Sequence, residues 1–128
     1  MTKEEKQLLL KDLCARLPYW VVIHCSDNDT TDYKCFLTTD ILHEIQNGYE
    51  HYDYKPFLRP MSSMTEEERE EFYKVGGVMS HNPQNDHYAI SAFTPEAYDW
   101  LNENKFDYRG LIPMGLALEA KEGMYKTE

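Results

Sequence analysis

A chain of 128 residues, of which 41% are hydrophobic and 28% charged, is long enough for one globular domain and too apolar for a disordered chain. Its formal charge of −10 is spread along the whole length, so no segment supplies the basic stripe that follows a phosphate backbone. These values argue against direct nucleic-acid binding and, since no run of about 18 apolar residues occurs, against a membrane span.

The first predicted element is an amphipathic helix over residues 2–17. Its leucines recur at helical spacing, while Arg16 and three lysines fall on its other faces. Thr2 and Glu5 are placed for a capping box, and Pro18 ends the element. The charges inside this segment also differ from the basic start and continuous apolar run of a signal peptide, which predicts a cytoplasmic protein.

A hairpin, a short helix and a further strand are predicted next. The runs 19–25 and 33–39 are rich in β-branched and aromatic residues, and the turn-rich SDNDTTD joins them. Residues 40–48 carry apolar side chains on one helical face, with a strand as the alternative because the segment is short. Residues 50–58 alternate as an extended, edge-like strand that ends at prolines.

The second half of the chain is predicted to begin with a helix over 66–75, for which Thr65 and Glu68 form a capping box. The segment SHNPQND, residues 80–86, reads as a loop.

A strand over 87–93 and a further helix capped by Thr94 complete the predicted domain. The expected fold is α+β: a small antiparallel sheet of three or four strands, built from the hairpin and the strands near 50–58 and 87–93, with about three helices packed mainly on one face. Residues 1–120 form one domain, and residues 121–128 are expected to be a frayed tail.

Two stretches carry a family resemblance: YKPFLRPMSSMTEEE, residues 54–68, and YDWLNENKFDYRGLIPMGLALEA, residues 98–120. Together they resemble a family of small uncharacterised proteins encoded by bacteriophages, prophages and mobile elements of gut bacteria. In that family a K-P-x-L-R-P-[LM]-S segment precedes a capped acidic helix, and a W-L-x4-F-D-x2-G-L-I-x2-G-L-A segment closes the domain. The resemblance implies no particular activity, because the family has none assigned.

One departure from the family pattern bears on chemistry. Where relatives often have a histidine pair, this chain has Asn104 and Lys105, so a metal or acid–base site built on those histidines is excluded. Trp100 and Phe106 instead have the composition of a core, and Asp107 that of a turn anchor. The closing segment is therefore predicted to stabilise the fold.

The candidate partner-binding residues are Tyr49, Tyr52, Tyr54 and Arg59, in the segment GYEHYDYKPFLRP. Stacking on nucleic-acid bases would need a basic groove, and neighbouring acidic residues offset the basic ones. Tyrosines also suit half-buried sheet surfaces, so the sequence favours an aromatic strip of the core. If the strip binds a ligand, a protein is favoured, because Tyr and Arg are enriched at hot spots.

Cys25 and Cys35 are the first candidates for a nucleophile or a metal site. Neighbours on a strand point to opposite faces, so His24 cannot join Cys25 in one cluster. The simplest interpretation of the two cysteines is a pair of small buried hydrophobes, which a cytoplasmic location would keep reduced.

A second candidate metal site comprises His81, Asp86 and His87, and a third is the acidic run over 66–71. The histidine spacing matches no zinc pattern, and acidic residues in a first helical turn are explained by the helix dipole. The chain also lacks the nucleotide-binding and hydrolase motifs. No catalytic, cofactor-binding or metal-binding residue is predicted, and no cofactor.

These observations predict a non-enzymatic accessory protein of a phage or mobile element that acts by binding another protein. Its acidity suits a basic partner. Two alternatives stay open: an acidic mimic of nucleic acid that blocks a host or defence protein, and a small enzyme with an unrecognised histidine–carboxylate site.

Overall fold

The computed structural model describes residues 1–27, 32–47 and 52–125, and in these ranges it confirms an α+β fold. The helices are α1 (Lys3–Arg16), α2 (Thr39–Asn47), α3 (Glu66–Lys74) and α4 (Pro95–Glu103). The strands are β1 (Val22–Asp27), β2 (Asp32–Phe36), β3 (Tyr52–Leu58), β4 (Gly77–Asn82), β5 (His87–Ala92) and β6 (Leu118–Glu119). Residues 28–31 of the predicted hairpin turn, the predicted helix stop at Gly48, and Tyr49 lie outside the described residues.

A four-stranded sheet has the order β2-β1-β3-β6. The predicted hairpin is present as the antiparallel pair β1–β2, and β3 is antiparallel to β1 on the other side. The strand predicted to be edge-like, β3, is instead internal, because β6 pairs with it in parallel through Phe57 and Leu58. Pro56 is tolerated there because that short pairing begins after it and needs no N–H from it.

Helices α1 and α2 contact each other and cover one face of this sheet. The capping box of Thr2 and Glu5 starts α1 as predicted, with both reciprocal bonds formed. The first core lies between these helices and the sheet, and it is built from Leu9, Leu13, Val21, Ile23, Cys25, Leu37, Ile41, Ile45, Tyr54, Leu58, Leu111, Leu116 and Ala117.

The strand predicted near 87–93 does not join the four-stranded sheet. It forms β5, which pairs in antiparallel fashion with β4, a strand that sequence reasoning missed by assigning residues 80–86 to a loop. The first residue of β4, Gly77, has to be a glycine because the ring of Phe72 lies against it. A Cβ at this position would be 2.1 Å from the Phe72 Cε1 atom. Helices α3 and α4 therefore pack with this second sheet rather than on the first.

The two segments that carry the family resemblance meet in the structure. The backbone N–H of Arg59 donates to the Lys105 carbonyl at 2.7 Å, and the N–H of Asp107 donates to the Arg59 carbonyl at 2.8 Å. The Arg59 guanidinium lies 4.2 Å from the centre of the Phe106 ring and binds both carboxylate oxygens of Glu68 at 2.7 Å. Glu68 is also the N3 residue of the predicted capping box on α3.

Aromatic stacking extends this junction into the second core. Trp100 stacks on Phe72 and on Phe106, with ring centroids 5.3 and 5.6 Å apart. Asp107 anchors the following turn as predicted, since its two carboxylate oxygens accept from the N–H groups of Leu111 and Ile112 at 2.8 and 2.9 Å. The contacts of both motif segments are thus contacts within the fold.

The beginning of the predicted tail is attached to the four-stranded sheet through Tyr125. Its hydroxyl accepts from the Val22 N–H at 2.9 Å and donates to the Phe57 carbonyl at 2.6 Å. Val22 belongs to β1 and Phe57 to β3, so the hydroxyl connects the tail to two neighbouring strands. Burial raises the pKa of this hydroxyl to about 12. Fraying was expected from residue 121, whereas the described part of the tail is held as far as Tyr125.

We expect Tyr125→Phe to lower the free energy of unfolding by about 1–3 kcal/mol, because it leaves a strand N–H and a strand carbonyl without their partner. Urea denaturation measures the loss. Tyr73→Phe is the matched control, since Tyr73 is 72% exposed and should be neutral. Equal stability of the two variants would show that the Tyr125 hydroxyl does not hold the tail.

Candidate functional site

The residues predicted to bind a partner are placed differently from one another. Tyr54 is buried, at 9% exposure, and its hydroxyl donates to Glu44 on α2; burial is the main cause that raises its pKa. Arg59 is engaged by Glu68 and Phe106 as described above. Tyr52 begins β3, and Tyr49 lies outside the described residues. Tyr54 and Arg59 are therefore packing residues, in keeping with the interpretation of this segment as core.

The two strand cysteines share the helix-covered side of the sheet. Their Sγ atoms are 3.0 Å apart, and His24 points to the other face, with its ring edge-on to Phe57. Burial is the largest cause that raises the pKa of the Cys25 thiol to about 12. A thiol that stays protonated at neutral pH is a poor nucleophile, so this geometry favours a packing role.

Thiol labelling tests that assignment. We expect iodoacetamide to modify the exposed Cys14 readily in the native protein and to modify Cys25 only after denaturation. Mass spectrometry of peptides from native and denatured samples distinguishes the two sites. Rapid native modification of Cys25 would contradict a buried, protonated thiol.

The histidines of the second candidate site lie at the exposed β4–β5 hairpin. His81 Nε2 lies 2.7 Å from Asp86 Oδ1, and the His81 ring stacks on Tyr88 at 4.3 Å. Asn82 lies opposite His87 in the strand register. Among the residues that the structure describes, no three His, Cys, Asp or Glu side chains are grouped so that they could hold a metal ion.

Two exposed aromatic residues lie in contact where β1 begins and β2 ends. Trp20 is 70% exposed and Phe36, the last residue of β2, is 52% exposed. Their ring centroids are 5.5 Å apart with the planes at 85°, which is the edge-to-face arrangement that aromatic rings favour. Tyr73 and Phe93 are also exposed, but neither has a ring contact with another aromatic residue in the described part of the chain.

The backbone that presents Trp20 is unusual. A 3₁₀ turn over Leu17–Tyr19 follows α1, and Trp20 then adopts φ 60° and ψ 48° before β1 begins. This left-handed conformation costs a residue with a side chain roughly 1–2 kcal/mol relative to glycine. Sequence reasoning missed the feature because it assigned Trp20 to the strand over 19–25, and no local pattern marks a left-handed tryptophan.

Two substitutions of Trp20 test whether its backbone conformation is strained. We expect Trp20→Gly to be more stable than Trp20→Ala by about 1 kcal/mol, because glycine adopts the left-handed conformation without the Cβ clash. Chemical denaturation of the two variants measures the difference. If the alanine variant is the more stable one, Trp20 does not occupy this conformation in solution.

The open edge of β2 lies beside the aromatic pair. β2 is the outermost strand of the sheet, and in the described ranges only β1 pairs with it. Its outer N–H and C=O groups can therefore pair with an added strand, which is a recurring mode of peptide recognition. Trp20, Phe36 and this edge together form the candidate site, named here the β2 edge surface.

A comparison of the chain with protein-family models, with curated proteins and with solved structures finds no match. None of the helices in the described residues has both the length and the apolar character that crossing a membrane requires.

Proposed function

We propose that the protein is a non-enzymatic accessory protein of a phage or mobile element and acts by binding another protein through the β2 edge surface. The observation that carries the proposal is Trp20, which is exposed, packed edge-to-face with Phe36 and held in a costly backbone conformation. Folding alone gives no reason to keep a large apolar side chain there. Exposed aromatic side chains of this kind are the usual anchors of protein interfaces.

The chemistry of the surface favours a particular partner. An open strand edge takes an extended segment, and an aromatic pair takes an apolar pocket. The formal charge of −10 accelerates encounter with a protein of opposite sign. The proposed partner is therefore a basic protein that presents an extended segment next to an apolar pocket.

The experiment compares three baits in parallel: the native protein, Trp20→Ala and Tyr73→Ala. Tyr73 is the matched control, because it is as exposed as Trp20 and lies on α3. Affinity capture from host lysate identifies proteins retained by the native and control baits and lost from Trp20→Ala. With the purified partner, we expect Trp20→Ala to weaken binding by about 30-fold, the effect of losing a hot-spot residue.

Two results would contradict the proposal. A partner retained equally by Trp20→Ala would place the interface elsewhere, for instance on the exposed glutamates of α3, and would favour a nucleic-acid mimic if that partner binds nucleic acid. Binding of short oligonucleotides to the native protein would show that the ligand is nucleic acid instead.

A further inference from the structure

A buried ion pair on α1 is the starting point for a second site. The side chains of Asp12 and Arg16 are both fully buried. The Nε and Nη2 atoms of Arg16 donate to the Asp12 carboxylate at 2.8 and 3.0 Å. Arg109 Nη1 donates to the same carboxylate at 2.8 Å. Two guanidinium groups therefore share one carboxylate, which leaves the cluster with an excess positive charge.

The hydrogen bonds next to this cluster have a fixed direction. Arg109 Nη1 also donates to the Tyr108 hydroxyl at 2.7 Å, and that hydroxyl lies 2.9 Å from Asn102 Oδ1. A guanidinium only donates, so the Tyr108 hydroxyl accepts from Arg109 and must give its own proton to Asn102 Oδ1. This bond fixes which side of the Asn102 amide carries the oxygen, and the Nδ2 group on the other side has no protein acceptor in the described residues.

An open cavity of about 550 Å³ borders these groups. Lys11, Asn102 and Arg109 contribute to its wall, and no carboxylate does so in the part of the chain that the structure describes. Lys11 has no ion pair with any described residue, and Arg109 Nη2 has no acceptor there. Three donors with two positive charges thus border one cavity in a chain whose net charge is −10.

We propose that this cavity binds a small oxyanion, the phosphate or carboxylate group of a small molecule. Arg and Lys are the side chains that form strong charge-assisted bonds to such groups. An anion bound to Lys11, Arg109 and Asn102 would balance the excess charge of the Asp12–Arg16 cluster. The site is separate from the β2 edge surface and does not depend on it.

The test titrates the full chain with inorganic phosphate and, separately, with acetate, each at constant ionic strength made up with chloride. We expect saturable binding by calorimetry, and we expect the Asn102 side-chain amide resonances to shift in nitrogen–proton NMR spectra. The anion that binds more tightly identifies the group that the cavity prefers.

Lys11→Gln removes one positive charge from an exposed position of α1 and should weaken binding about tenfold. Lys3→Gln makes the same charge change near the start of that helix and should leave binding unchanged. Absence of saturable binding for both anions would overturn the proposal. So would equal affinities of the two variants, or anion-dependent shifts that leave the Asn102 amide unmoved.

Discussion

Asp12→Ala is expected to lower the free energy of unfolding by about 3–5 kcal/mol, because removal of one member of a buried ion pair leaves an uncompensated charge. Arg16 would stay fully buried, with the Phe106 carbonyl, 2.6 Å from its Nη2, as its remaining acceptor. Its Nη1 group already has no hydrogen-bond partner in the described residues. Urea denaturation of the native protein and the variant measures the loss.

Two further variants give this prediction its controls. Asp99→Ala removes an exposed carboxylate from α4 and should change stability by less than about 0.5 kcal/mol. The double variant Asp12→Leu/Arg16→Met replaces the pair with apolar groups and should recover most of the lost stability. If Asp12→Ala is as stable as Asp99→Ala, the pair is not buried in solution.

Phe106→Ala is expected to cost about 3–5 kcal/mol, the usual loss when a buried aromatic side chain is truncated to alanine. Phe106 is fully buried and contacts both Trp100 and the Arg59 guanidinium, so its removal opens a cavity where the two motif segments meet. Thermal and urea unfolding measure the effect. Phe93→Ala is the control, since Phe93 is 75% exposed. A small effect at Phe106 would mean that the motif segments do not hold the second core.

The features predicted correctly from sequence are those that depend on neighbours along the chain. The capping boxes at Thr2 and Thr65 each require a partner only three residues away, and both formed as predicted. The turn anchored by Asp107 is equally local, because it binds the N–H groups four and five residues ahead.

The features that were missed depend on contacts between distant residues. Gly76 and Gly77 resemble a simple helix stop, and the strand that begins at Gly77 depends on pairing with β5, where Ala92 lies opposite Gly77. The internal position of β3 depends on pairing with β6, about sixty residues later in the chain. Arg16 falls on the polar side of the helical pattern, but it is fully buried and donates to the carbonyl of Phe106, far away in the sequence. In each case the partner lies too far along the chain to be identified from neighbouring residues.

The candidate site illustrates the same limit. The tyrosine-rich segment supplied the candidate binding residues from the sequence. In the structure, however, Tyr54 is buried against α2 and Arg59 is bound by Glu68. Trp20 lies in an apolar run that is typical of a buried strand. Its exposure results from the left-handed turn before β1, which has no local sequence signature.

The central claim is that the two tryptophans contribute oppositely to the fold: Trp100 stabilises it, and Trp20, the proposed partner-binding residue, does not. The melting temperatures of Trp100→Ala and Trp20→Ala, measured side by side, test it most directly. We expect Trp100→Ala to melt roughly 10 °C below the native protein, because it removes a half-buried ring that stacks on the fully buried Phe72 and Phe106. We expect Trp20→Ala to melt close to the native protein. An unchanged melting temperature for Trp100→Ala, or an equally large decrease for Trp20→Ala, would contradict the account.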